Sequence, residues 1–223
     1  MTTYAQLKAA ISDDINDPSN LVFIDAIVGD MANEAFVEVG YIVPREFQED
    51  ITPIADTLAY DLQQSVFADP VQAIRVRQVE LWDASETPDQ FLRMFVPRST
   101  GYASTSAAGW DVWNGVLAIT NNQESIIDVT KHIIRVWGYS PYPPLTSDAQ
   151  VLGVSNEIEK AVRIYCRVLA LRRLVNQRDL FTQWQTTASA SDVSPASLMS
   201  ALGQAEDEWR RRARRLQTLF EAP

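Results

Sequence analysis

The chain has 223 residues, 46% hydrophobic and 22% charged, with one cysteine, one histidine and a formal net charge of −10. That apolar share is enough for a sizeable core. The lone Cys166 excludes an intramolecular disulfide, and no apolar run approaches the roughly 18 to 20 residues of a membrane span. Residues 1–150 hold 8 Lys and Arg against 21 Asp and Glu, whereas residues 151–223 hold 11 against 8. An acidic body is a poor general binder of nucleic acid, and the basic excess at the C-terminal end points to a different neighbour there. The opening MTTYAQLKAAISDD has acids and no signal-peptide pattern, so none is expected.

In chain order, residues 3–15 read as a short helix, with Tyr4, Leu7, Ile11 and Ile15 on one face and Thr2 or Thr3 as its cap. Asn16–Asn20 is a loop of turn formers. A second amphipathic helix is expected over Leu21–Val39, ended by Gly40. The period then changes. Phe47–Thr52 reads as extended, and strands are expected at Thr57–Leu62, Ala73–Leu81, Gln90–Val96, Gly115–Thr120 and Ser125–Tyr139. Asn121-Asn122-Gln123 is expected to turn a hairpin between the last two, and the long final strand to bend or bulge. The Ser/Ala/Gly-rich stretch Arg98–Asn114 reads as one long loop, either a contact surface or a plain excursion.

Pro141, Pro143 and Pro144 close the β region, and Leu145–Gly153 is a linker. Val154–Val175 is the strongest helix signal, with Ser155 as N-cap, a broad apolar face and Cys166 as a buried small hydrophobe. Asn176–Asp179 either breaks that helix or lets it run on through Trp184. After the polar loop Thr186–Asp192, Ser194-Pro195 opens a last helix reaching Phe220, with Leu198, Leu202, Ala205, Trp209, Ala213, Leu216 and Phe220 on one face. The expected fold class is α+β: a helical bundle from both chain ends with an inserted antiparallel β section. Its parts are an N-terminal helical hairpin (1–52), a β-rich insertion (53–145) and C-terminal helices (146–223) packing on the N-terminal ones, the whole expected to be one continuous domain.

No chemistry is spelled out. The chain lacks G-x-S-x-G, HExxH, CxxC and P-loop patterns. His132 lies in an expected strand, and the acids Asp13, Asp14, Glu49, Asp50, Asp83, Glu86 and Asp89 are scattered without EF-hand spacing. Catalytic residues, metal ligands and cofactor-binding residues are therefore all expected to be absent, and the chain is read as a non-enzyme. The unusual local feature is Arg210, Arg211, Arg212, Arg214 and Arg215 beside Trp209, on the last helix. Four readings are open: a solvated helix end pairing with Glu206, Asp207 and Glu208, docking on an acidic protein surface, contact with nucleic-acid phosphates, or a basic helix on a membrane.

The layout resembles the adaptor, or head-to-tail connector, proteins of tailed bacteriophages. The opening TTYAQLKAAISDDINDP looks like their first helix and loop, and Leu21–Val39 like the helix preceding the sheet. Thr57–Leu62, Asp69-Pro70 and Ile74-Arg75-Val76 resemble the tract where the first sheet strands pair, although five residues, Gln63–Phe67, stand where the family has a proline soon after Tyr-x-Leu. Gly115–Val136, Trp137-Gly138-Tyr139 and the proline linker resemble the end of that sheet, and the two C-terminal helices the part that meets the portal. The resemblance implies a twelve-fold homo-oligomeric ring in the virion, joining portal protein to a tail or stopper protein around the DNA exit channel, with transient contact to packaged DNA, no membrane and no active site. Partner binding, to portal or DNA, is expected of Trp209 and the five arginines. Two alternatives are a sequence-independent DNA-binding accessory protein using the same helix, and a carbohydrate-binding tail protein using the β section and Arg98–Asn114.

Overall fold

The computed structural model describes residues 2–55, 57–62, 75–97, 109–113, 115–120 and 127–221. The chain forms two compact units, Met1–Val43 with Tyr142–Pro223, and Pro44–Pro141.

The first unit is helical: α1 (Tyr4–Asp14), α2 (Asp25–Ile42), α3 (Asn156–Asn176), α4 (Arg178–Thr187) and α5 (Pro195–Glu221). Thr3 and Gln6 close a reciprocal capping box on α1. The α1–α2 loop is organised by Asp17, only 1% exposed. Its carboxylate accepts from the backbone amides of Leu21 (3.1 Å), Val22 (3.0 Å) and Phe23 (2.7 Å). Those amides are thereby held outside any helix, so α2 starts at Asp25 and not at Leu21. It also runs through Gly40 to Ile42. α3 packs against α1, α2, α4 and α5, so the helix with the broadest apolar face is the hub of the unit. Ser155 caps it. The extended backbone of Gln177 (φ −123°, ψ 98°) separates α3 from α4. Ser194 accepts through Oγ from the Ser197 amide at the start of α5. The core holds Leu7, Ile11, Phe23, Met31, Phe36 and Val162, with Cys166 donating through Sγ to the Met31 carbonyl at 3.5 Å.

The second unit contains β1 (Arg45–Ile51), β2 (Ala59–Asp61), β3 (Arg75–Asp83), β4 (Gln90–Pro97), β5 (Gly109–Trp113), β6 (Val116–Thr120) and β7 (His132–Ser140). They make one sheet in the order β1-β7-β3-β4-β5-β6-β2. This overturns the expected helical bundle with an inserted antiparallel section. The sheet has seven strands, is mixed and curls into a half-barrel, around its own core of Phe47, Ile51, Val79, Leu81, Leu117 and Ile134. The mixed character comes from β5, which pairs parallel to β4 (Val96↔Gly109, Pro97↔Trp110) and antiparallel to β6 (Trp113↔Val116). β5 lies inside the stretch read as one loop.

Other strand expectations also change. The hairpin expected between Gly115–Thr120 and Ser125–Tyr139 does not form: β6 lies between β5 and β2, and β7 between β1 and β3. Its turn residues Asn121–Gln123, and most of Arg98–Asn114, lie outside the described residues. β7 begins only at His132, because Asp128 makes a turn, accepting through Oδ1 from the Thr130 amide and hydroxyl. Register shifts fall in β3, at Val76/Gln78 and Leu81/Trp82.

Candidate interaction surface

Helical period divides the arginine run of α5. Leu198, Ala205 and Leu216 are buried, so at 100° per residue Arg211 and Arg214 fall on the opposite side and Arg215 on a flank. Arg210 is engaged within its own helix, donating to Asp207 at 3.0 Å and lying 3.7 Å from Glu206. Glu206 also accepts from Arg172 of α3 at 2.9 Å. Arg212 turns inward: Nη2 lies 2.8 Å from Glu157 Oε2 at the start of α3, and its side chain is 16% exposed. Both atoms are shielded from solvent and not aligned as a hydrogen bond, so this is a charge contact. Arg211, Arg214 and Arg215 are exposed, and among the described residues their guanidinium groups have no ion pair. Trp209 sets its ring against Tyr165, with centroids 4.8 Å apart. It is held by the fold and is not a free anchor. Burial pushes the Tyr165 phenol above its ordinary value, and the nearby carboxylates of Glu38 and Glu34 act in the same direction.

A second basic feature is not marked by any run of charge in the sequence. Lys160, Arg163 and Arg167 recur at i, i+3 and i+7 on α3, and together with Asp14, Ile164, Glu208 and Arg212 they line a groove of about 430 Å³. Arg163 binds Asp14 with both prongs of its guanidinium, at 2.7 and 2.8 Å. This holds its proton more firmly than usual, against the opposing effect of partial burial. Lys160 and Arg167 are exposed and have no ion pair among the described residues. The groove therefore keeps a positive surplus.

The sheet unit carries a polar cluster of another kind. Glu80, 7% exposed, accepts from the indole N–H of Trp82 (2.7 Å) and of Trp137 (3.1 Å), and from the Gln78 amide. Arg135 lies 4.5 Å over the Trp82 ring and binds Asp50 (2.7 and 2.8 Å) and Asp89 (2.9 Å). The cluster ties β1 (Asp50), β7 (Arg135, Trp137) and β3 (Gln78, Glu80, Trp82) together. Beside it Leu92, Met94 and Val96 alternate along β4 and are 43, 53 and 42% exposed.

The single histidine and cysteine do no visible chemistry. His132 Nδ1 accepts from the Asp128 amide at 2.9 Å. Cys166 is fully buried, and burial pushes its thiol far above the ordinary value, which disfavours the thiolate a nucleophile needs. Among the described residues no group of three or more His, Cys, Asp or Glu is placed to hold a metal, and no helix is long and apolar enough to cross a membrane. No known protein-family model matches the sequence, and no curated protein does either.

Proposed function

We propose that the chain is a structural virion protein, an adaptor subunit that forms a ring joining the portal to the tail in the head-to-tail connector of a tailed bacteriophage. The observation that carries this reading is the division of labour on α5. One side of the helix is fixed by burial of Leu198, Ala205 and Leu216, while Arg211 and Arg214 on the opposite side and Arg215 on a flank are exposed without ion-pair partners among the described residues. A rigid helix with an arginine face is suited to docking on carboxylates of a partner, since the planar guanidinium binds them in a two-pronged fork. The order of elements, helices then sheet then helices, is the layout on which the phage resemblance rests. In this reading α5 meets the portal.

The test mixes the purified chain with a portal ring and counts bound copies by negative-stain imaging and mass measurement. The triple variant Arg211→Glu, Arg214→Glu, Arg215→Glu should keep the native far-UV circular dichroism and lose portal binding. Portal binding at wild-type strength by that variant sinks the proposal. Retention of duplex DNA by the wild type, lost in the variant, would favour the DNA-binding alternative.

A further inference from the structure

We infer that the acidic outer stripe of α2 in one copy of the chain seats in the basic groove of α3 and α5 in a second copy. The inference deepens the ring reading and rests on it for biological context. Its surfaces are argued from the helical unit alone.

The stripe consists of Asp30, Glu34, Val37, Glu38 and Tyr41, at i, i+4, i+7, i+8 and i+11, a spacing that puts all five on one side of α2. All are exposed, including the apolar Val37 (40%) and Tyr41 (60%). The three carboxylates have no ion pair among the described residues. This acidic face is interrupted by exposed apolar side chains, as a surface that meets a partner is. The groove offers the complement. At 1.5 Å per residue, Lys160, Arg163 and Arg167 span roughly 10.5 Å of α3, and Asp30 to Glu38 span roughly 12 Å of α2, so the cations and the carboxylates match in length. Ile164 lies between the groove's cations and gives Val37 or Tyr41 an apolar seat. Both surfaces stand on formed helices, α2 and α3, so association orders side chains and not backbone.

An acidic helix fits this groove better than a nucleic-acid backbone does. Residues 1–43 hold 1 lysine against 7 acids, so the field of the subunit opposes an incoming polyanion while favouring local pairing of acid with base. No residue of the stripe lines the groove, so the two surfaces are different patches of one molecule. Where each pair of copies makes it once, such a contact is heterologous. It propagates head to tail and closes as a ring when the rotation per subunit divides a full turn.

The test is sedimentation velocity on the full chain across a concentration and salt series, with three variants: Glu34→Lys with Glu38→Lys, Lys160→Glu with Arg167→Glu, and all four together. The expected result is self-association of the wild type at low salt that fades as salt rises. Each two-site variant should weaken it about tenfold or more, and the four-site variant, like an equimolar mixture of the two two-site variants, should recover it. Rescue by the mixture also shows that each variant is folded. Wild-type association by both two-site variants, absence of rescue, or a wild type that stays monomeric at low salt would each overturn the inference. If Lys160→Glu with Arg167→Glu abolishes duplex-DNA binding and leaves self-association unchanged, the groove is a phosphate site and the inference falls. Ring assembly on the portal unaffected by these variants overturns the inference and leaves the ring reading standing. Self-association as expected with no portal binding does the reverse.

Discussion

Replacing Asp17 with alanine tests how far one carboxylate fixes the entry to α2. The side chain is 1% exposed and collects three consecutive amides, of which those of Val22 and Phe23 are buried. Leaving a buried donor unsatisfied costs about 1 to 3 kcal/mol. Two such donors, together with loss of the part-buried Leu21 bond, give an expected destabilisation of about 4 kcal/mol, near the upper end for a single substitution. Asp17→Asn keeps one acceptor oxygen but turns an N–H₂ toward the amides, so about half of that loss is expected. The assay is urea unfolding followed by far-UV circular dichroism, which α1 to α5 dominate. Two transitions should be fitted, because two units need not unfold together. Native-state hydrogen exchange at Leu21, Val22 and Phe23 supplies the local readout. A loss below about 1 kcal/mol in Asp17→Ala, or unchanged protection of the three amides, would refute the argument that the carboxylate organises this loop.

Two further predictions concern Lys8 and Gly138. The Lys8 ammonium lies 2.5 Å from Asp25 and 2.8 Å from Asp148. Burial alone would lower its proton affinity, but the hydrogen bonds and charges of Asp148 and Asp25 outweigh this and raise it above the ordinary 10.5. A raised folded value contributes stability that is complete below the unfolded value and is lost as pH rises through the folded one. Burial likewise raises the Tyr4 phenol above its ordinary 10.0, and a neutral acid favoured by the fold has the same sign. Stability of the helical unit should therefore fall above about pH 10. Lys8→Met should flatten the lysine part of that fall and cost no more than about 1 kcal/mol at neutral pH, because both carboxylates remain in contact with water; thermal unfolding against pH measures both. At Gly138, an added Cβ would lie 2.5 Å from the Arg75 carbonyl oxygen and 2.8 Å from the Phe47 ring. Gly138→Ala thus has to push β3 backbone and a core ring at once. A loss of about 2 to 3 kcal/mol is expected, read as a lowered midpoint of the sheet unit by tryptophan fluorescence, and a midpoint equal to wild type would show that the strand yields freely.

The helices were legible because their cause is local. Ser155 and the Ser194-Pro195 pair mark their starts, and a 3.6-residue period of apolar side chains marks their buried faces. α2 departs at its start because a side chain eight residues upstream, Asp17, captures the amides that Leu21–Phe23 would have given to a helix. No periodicity reports that. The sheet was less legible because strand order depends on contacts distant in sequence. β5 is five residues in a Gly- and Ser-rich stretch, and its parallel partner β4 is separated from it by residues outside the described part. The Asn114-Gly115 pair between Trp113 and Val116 was the available hairpin signal, whereas Asn121-Asn122-Gln123 pointed to a pairing of β6 with β7 that does not occur. At the candidate surface, one of the four open readings paired the arginines with Glu206, Asp207 and Glu208. The fold gives Arg212 to Glu157 instead, more than fifty residues upstream. The spacing of Lys160, Arg163 and Arg167 was readable from sequence, but the groove they line exists only once α5 lies against α3.

The sorting of the arginines bears directly on the choice between protein and DNA as partner. Of the five, Arg210 is held by Asp207 and Glu206, and Arg212 by Glu157. A phosphate backbone would then meet Arg211, Arg214 and Arg215, and at most Lys160 and Arg167 in addition. Each phosphate neutralised contributes about 0.9 to the slope of log affinity against log salt, so three contacts give roughly −2.7 and five roughly −4.5. Proteins that hold duplex DNA firmly through its backbone make about 6 to 10 such contacts, and here the attraction works against a net charge of −10. Carboxylates on a folded partner need fewer pairs, because each arginine fork adds direction as well as charge. A measured salt slope steeper than about −5 for duplex DNA would require more free cations than these surfaces supply, and would return the arginine helix to the nucleic-acid reading.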